Sequence, residues 1–275
     1  MPGRRPNERT ASSAATPPIR GVLFDVDGTL YHQRRLRLLV AARLLFAALR
    51  RPFRTWEEVR ILREYRRAQE WLRAHAPAPV TPESQLARTI AVTGLSAENV
   101  AGCVQHWMQH VPLDLLRFCG RRDLIRSINR WHALSVPMAV YSDYPASDKL
   151  QHLGLATQLA FAVCSTDPDV GTYKPHPRGF RVAASRMGLR PEEVCYVGDR
   201  PDVDGVGARN AGMQPLIVRR RSLNTFRKGD AGLTPTILDA ILQEAHAPRA
   251  AVPFDFRRQP AERPENADSV NRSDR

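Results

Sequence analysis

The chain has 275 residues, 43% of them hydrophobic, with 41 Lys and Arg against 28 Asp and Glu and a formal charge of +13. That length and apolar content allow a sizeable core in one large domain or a domain carrying an insertion, and no stretch approaches the roughly 18 unbroken apolar residues of a membrane span. Cys103, Cys119, Cys164 and Cys195 are scattered without a C-x-x-C pair, which argues against a disulfide framework and a structural zinc site and leaves reduced, mostly core thiols.

Residues 1–18 are rich in Pro, Ser, Ala and Arg and are expected to be a disordered tail. The start of the chain lacks the apolar centre of a secretory signal, so a cytoplasmic location is expected. GVLFD at 21–25 reads as the first strand, and it runs into FDVDGTLY at 24–31, two carboxylates set one residue apart after an apolar run. Burying either charge unpaired would cost several kcal/mol, which makes the pair a functional candidate. Asp-Gly is also a common turn dipeptide, and these residues alone leave both readings open.

Residues 31–118 read as helices. They begin with RRLRLLVAARLLFAALRRPFR at 34–54, an apolar stretch bracketed by arginines, and residues 31–80 hold twelve Arg against four Glu. Packing of the apolar side on a neighbour, with arginines reaching water, is the preferred reading. Contact with an anionic membrane or an acidic partner through 34–54 is the alternative. RTWEEVRILREYRRAQEWLRAHA has near-helical spacing, and PESQLARTIAVTGL and SAENVAGCVQHWM read as further helices begun at Thr81 and Ser96.

Beyond them, VPMAVYS at 136–142, LAFAVCS at 159–165, VCYVGD at 194–199 and PLIVR at 215–219 are short apolar runs bounded by turn residues, separated by helical patterns. Such alternation predicts an α/β fold: a Rossmann-like parallel sheet with helices on both faces. The first two strands are more than a hundred residues apart, too far for an ordinary crossover, so 31–118 is expected to be an all-helical insertion. The core then comprises 19–30 and 119–246, and residues 247–275, mixed in charge and rich in proline, form a second disordered tail.

In an open parallel sheet, ligands bind beyond the carboxyl ends of the strands. Asp25, Ser142 and Asp199 each end a predicted strand, and Lys174 follows another within ten residues. Four strand ends thus direct polar groups to one crevice, which turn chemistry alone does not explain. With DVDGT (Asp25, Asp27), the apolar strand ending in Ser142, Lys174 in YKPHP, and GDRPDVD with Asp199 and Asp204, the chain resembles the haloacid dehalogenase-like hydrolase superfamily over residues 20–220. The long insertion between the first two motifs resembles the branch with an all-helical cap.

The resemblance implies that Asp25 is a nucleophile forming an aspartyl-phosphate, and that Asp27 protonates the leaving oxygen and then takes a proton from the hydrolytic water. It implies Mg²⁺ held by Asp25, the main-chain carbonyl of Asp27 and Asp199, with Asp204 as a ligand or a support. Ser142 and Lys174 would bind the phosphoryl group. Dehalogenases of the superfamily lack the second aspartate, so Asp27 favours phosphoryl transfer. A phosphonatase would place a Schiff-base lysine in the cap, and residues 31–118 contain no lysine.

Each residue also has a plainer reading. Ser142 could end a strand with a side chain to backbone bond, and Asp202 is read as a helix cap. Lys174 is harder to dismiss, because only Lys149, Lys174 and Lys228 interrupt a set of 38 arginines and the two side chains are not interchangeable. Asp143, Tyr144 and His176 border the expected crevice. The expected function is an Mg²⁺-dependent phosphatase acting on a small phosphorylated metabolite, with a phosphomutase or phosphotransferase, or a catalytically silent binding protein, as alternatives. No aromatic and basic motif for nucleic acid is found, and oligomeric state is not legible.

Overall fold

The computed structural model describes residues 18–75, 79–218, 239 and 242. Apart from Pro18, the tails expected at 1–18 and 247–275 lie outside the described residues. The chain opens with β1 (Gly21–Phe24), then α1 (Gln33–Arg50), α2 (Pro52–His75), α3 (Pro82–Thr93), α4 (Ala97–Val104), a π-helical stretch (Gln105–His110) and α5 (Val111–Leu116). There follow α6 (Arg122–Ala133), β2 (Met138–Ser142), α7 (Ser147–His152), β3 (Ala162–Cys164), α8 (Arg178–Arg186), β4 (Val194–Gly198), α9 (Val206–Ala211) and β5 (Gln214–Ile217).

The five strands form one sheet in the order β3-β2-β1-β4-β5, and every neighbouring pair is parallel. β1 lies at the centre, with Phe24 level with Val140 on one side and Val197 on the other. Alternation along the strands feeds two layers of core. Val22 and Phe24 face α6, where Leu124, Ile128 and Trp131 recur at helical spacing, and Phe24 stacks on Trp131 with centroids 6.2 Å apart. Leu23, Tyr141 and Tyr196 face the other way, against Phe180, Ala183 and Ala184 of α8 and Ala208 of α9. The Phe180 ring meets Tyr141 and Tyr196 edge-on at 4.9 and 4.7 Å.

All five strands are shorter than the sequence pattern predicts, β2 and β3 by the most. Pairing in β2 starts at Met138 rather than Val136, and β3 pairs only Ala162–Cys164 of the seven residues expected there. Hydrophobic runs extend beyond the ladder because the flanking residues Val136 and Leu159 join the core without strand partners. The helix starts are as anticipated. Thr81 and Ser84 form a capping box at α3, with Pro82 at the first turn, and Ser96 Oγ accepts the Asn99 N–H at 3.3 Å at α4.

Helices α1 to α5 occupy the segment between β1 and α6. Where the chain leaves and re-enters the sheet layer its two crossings are tied together. Tyr31 bridges Gly120, the His32 N–H donates to Cys119 O at 2.8 Å, and the Arg121 N–H donates to Leu30 O at 2.9 Å.

Candidate active site

β1 delivers Asp25 to the carboxyl edge of the sheet, where its N–H donates to Val197 O at 2.8 Å. The chain then turns tightly, with the Thr29 and Leu30 N–H groups both donating to Val26 O. Gly28 has φ +104°, and a Cβ there would lie 2.2 Å from Asp199 Oδ2. The turn thus needs glycine both for its dihedral angle and for the approach of Asp199, the residue that follows β4. The Asp-Gly turn and the paired carboxylates are one feature. Arg121, at the start of α6, pins it by donating from Nη2 to Gly28 O at 3.0 Å.

Asp25 is 6% exposed. Its Oδ1 accepts from Lys174 Nζ at 2.6 Å and its Oδ2 from Thr29 Oγ1 at 2.9 Å. Lys174 also donates to Asp204 Oδ1 at 2.9 Å and to Tyr196 Oη at 2.8 Å, so a single buried ammonium joins β1, β4 and the turn after β4. Asp204 Oδ2 accepts the N–H groups of Asp199 and Arg200 at 3.2 and 3.0 Å. Asp202 instead pairs with Arg200 at 2.9 Å. It stands inside the π-helical turn Pro201–Gly205, whose N-cap position is Arg200, so the cap expected of Asp202 is not formed.

Asp27 faces a second ammonium. Lys149 Nζ on α7 lies 2.6 Å from Asp27 Oδ1, and the Tyr31 hydroxyl donates to the same oxygen. Ser142, the buried last residue of β2, accepts the Tyr144 N–H on Oγ at 3.3 Å, so the plainer bond anticipated for it is present. Its side chain still lines the same cavity as the other five. Asp25, Asp27, Ser142, Lys174, Asp199 and Asp204 all contribute to one cavity of about 730 Å³ between the sheet edge and helices α1, α2 and α5. Asp143 and Tyr144 line it too. His176 does not: it is exposed, and its Nδ1 accepts the Arg178 N–H in its own turn.

The electrostatics divide the aspartates. Burial pushes Asp25 up to about 8 against the lowering pull of Lys174, with Asp204 and Asp199 adding to the rise. Burial and then Asp204 raise Asp199 to about 6. Asp27 is half-buried, and the Lys149 ammonium and the Tyr31 hydroxyl outweigh the desolvation and hold it below the usual carboxylate range. Lys174 is held well above the ordinary lysine value: burial works against its charge, and Asp204 and Asp25 more than reverse that.

Oxygens of Asp25, Asp199 and Asp204 lie within 4.8 Å of one another. The Asp199 carboxylate accepts no hydrogen bond among the described residues, and it stands beside the carboxylates of Asp25 and Asp204. A hard divalent cation with oxygen ligands fits that donor set.

Several contributors escape a reading of the sequence. Arg73 of α2 reaches Asp143 Oδ2 at 2.7 Å, and Asp143 Oδ1 accepts from Ser165 Oγ at 2.7 Å and the Lys174 N–H at 3.2 Å. Glu70 pairs with Arg73 at 2.6 Å and with Arg200 at 3.7 Å. These bonds tie α2 to the sheet edge across the cavity. Lys149 did carry a signal, since the scarcity of lysine that singles out Lys174 applies equally to it.

A family model described as haloacid dehalogenase-like hydrolase matches residues 19–212. The chain is 31% identical over 210 residues to a glyceraldehyde 3-phosphate phosphatase of Methanopyrus kandleri, covering 74% of this chain and 84% of the relative. It is 26% identical over 200 residues to a phosphoglycolate phosphatase of Pectobacterium atrosepticum, covering 71% and 80%. Among solved structures, a 2-haloacid dehalogenase from Pseudomonas syringae pv. Tomato DC3000 superposes with TM-score 0.57 at 19% identity, over 82% of this chain and 99% of that one. A HAD phosphatase from Thermococcus onnurineus does so with TM-score 0.53 at 20% identity, over 82% and 98%. These two likenesses speak for the fold. With the family model spanning the strand ends that build the cavity, the chain is an enzyme of the haloacid dehalogenase-like hydrolase family.

Proposed function

We propose that the chain is a phosphatase that hydrolyses a small phosphate monoester with Mg²⁺ as its cofactor. The observation that carries this reading is the pairing of two differently held carboxylates: Asp25 buried against Lys174 and Thr29, and Asp27 set apart on Lys149 and Tyr31. Displacing a halide needs no proton donor, whereas cleaving a phosphate ester needs one carboxylate to attack and another to handle the proton. Relatives over most of the chain's length bear phosphatase names.

In the first half-reaction the ionised Asp25 carboxylate attacks phosphorus, the bond to the ester oxygen breaks, and Asp27, protonated once Lys149 has released it, supplies the proton that oxygen needs. The contact with Lys149 has to loosen for this, and an arriving phosphoryl group competes for the same ammonium. In the second half Asp27 takes a proton from water as that water attacks the aspartyl-phosphate, releasing phosphate and restoring Asp25. Lys174 keeps a positive charge beside Asp25 throughout, and Ser142 donates to a phosphoryl oxygen. Asp25, Asp199 and the main-chain carbonyl of Asp27 would hold Mg²⁺, with Asp204 bracing Lys174 and the turn. Bound there, the ion offsets the charge that otherwise repels a phosphate ester from an anionic nucleophile.

The helical insertion serves as the cap in this reading. Arg37, Arg66, Arg73 and Arg200 line the same cavity as the aspartates, which favours a substrate with a second negative group, such as a sugar phosphate, phosphoglycolate or a nucleotide. Phosphate release from a panel of esters, with and without Mg²⁺, tests the proposal. Metal-dependent release that Asp25→Asn abolishes is expected. Turnover retained in that variant, or none on any ester, would overturn it.

A further inference from the structure

The outward face of α1 is apolar where a helix against water is ordinarily polar. Leu38, Leu45 and Leu49 lie seven and four residues apart, hence on one face, and are 72, 65 and 79% exposed. Phe46 beside them, and Phe53 and Trp56 at the start of α2, are 55, 90 and 68% exposed. Among the described residues these side chains join no part of the core. α1 packs inward through Leu36 and Ala47, and Leu36, Val40 and Leu44 line the catalytic cavity. Single exposed leucines are ordinary, but a continuous stripe with two aromatic tips marks a surface that meets something.

Charge decides what that is. Residues 32–56 contain seven arginines and no aspartate or glutamate, and Arg34, Arg35, Arg37, Arg43, Arg50, Arg51 and Arg54 are all exposed. Arg50 lies over the Phe46 ring at 3.7 Å, so cation and apolar surface are interleaved rather than segregated. A second copy of the chain would set the same arginines against one another, a like-charge arrangement that works against self-association. An anionic lipid surface satisfies both halves of the patch: phosphates for the guanidinium groups, and the acyl boundary for leucines, Phe53 and Trp56.

We propose that α1 and the first turn of α2 dock on an anionic bilayer surface, lying in its plane. No helix among the described residues is long and apolar enough to cross. The docked helix is also a wall of the catalytic cavity, so the enzyme would work beside the lipid.

Flotation of the full chain with vesicles of equimolar phosphatidylglycerol and phosphatidylcholine, against phosphatidylcholine alone, tests this. Binding to the anionic vesicles only, reduced at high salt, is expected. The double variant Leu49→Glu with Phe53→Glu should lower the bound fraction at least tenfold while circular dichroism and the thermal midpoint stay those of the wild type. Failure to float with anionic vesicles at low salt would overturn the proposal. So would flotation indifferent to the double variant, which would indicate charge adhesion alone, or a dimer in sedimentation that the double variant dissolves without any vesicle binding.

Discussion

Replacing the central carboxylate, Asp25→Asn, should stabilise the metal-free protein while removing its activity. In the native chain burial holds the Asp25 proton up to about 8, whereas the reference carboxyl loses it near 3.8. Between those values the native state carries a proton that the unfolded state lacks, so stability falls as pH rises. The penalty is absent below pH 3.8 and complete above about pH 8. At 1.36 kcal/mol per unit it reaches at most about 4 kcal/mol at pH 7.

Asn avoids that cost and can keep both local bonds, its oxygen toward Lys174 and its amide toward Thr29 Oγ1. Allowing for relaxation of the site, the gain at pH 7 is roughly 2 to 4 kcal/mol, on the order of 10 °C in the unfolding midpoint. Urea unfolding in chelator at about pH 5, 7 and 8.5 measures it. The variant should lead by a margin that widens with pH. A variant less stable than the wild type, or a margin that does not change with pH, would refute the claim that Asp25 is desolvated more than Lys174 compensates.

Gly28→Ala should displace Asp199, whose Oδ2 lies 2.2 Å from the added Cβ, and strain a backbone at φ +104°. A loss of about 1 to 3 kcal/mol in stability is expected from that strain, with turnover at least tenfold lower, and unchanged kinetics would contradict it. Lys149→Met removes the ammonium that keeps Asp27 low, so the limb of the kcat profile set by Asp27 should move to higher pH; an unmoved limb would dissociate Lys149 from the reaction. Mg²⁺ held as proposed would compete with protons for Asp25 and Asp199, raised to about 8 and about 6. Calorimetry should therefore show affinity tightening from about pH 6 to 8, with protons released on binding, and pH-independent binding would place the ion elsewhere.

The parts of the site legible in the sequence are those that a strand carries by itself. Asp25, Ser142 and Asp199 could be placed because each ends a short buried run, and strand ends of a parallel sheet share one edge. Lys174 was legible through its place after a strand and the rarity of lysine, and Asp204 through the resemblance of GDRPDVD to the family's motif. The contacts that set the electrostatics were not, because they are made across long separations: Lys149 to Asp27 over 122 residues, Arg73 to Asp143 over 70. No local pattern encodes such pairs. α1 shows a different limit. Apolar residues surround it almost evenly, so only packing reveals that Leu36 and Ala47 turn inward while Leu38, Leu45 and Leu49 stay exposed.

The proposed reaction turns on phosphoryl transfer to Asp25. Mass spectrometry of the chain after acid quenching in mid-turnover measures it directly. The peptide containing Asp25 should be heavier by one phosphoryl group, and the adduct should vanish in Asp25→Asn; a phosphoryl group on another residue, or turnover that persists in that variant, would contradict the assignment.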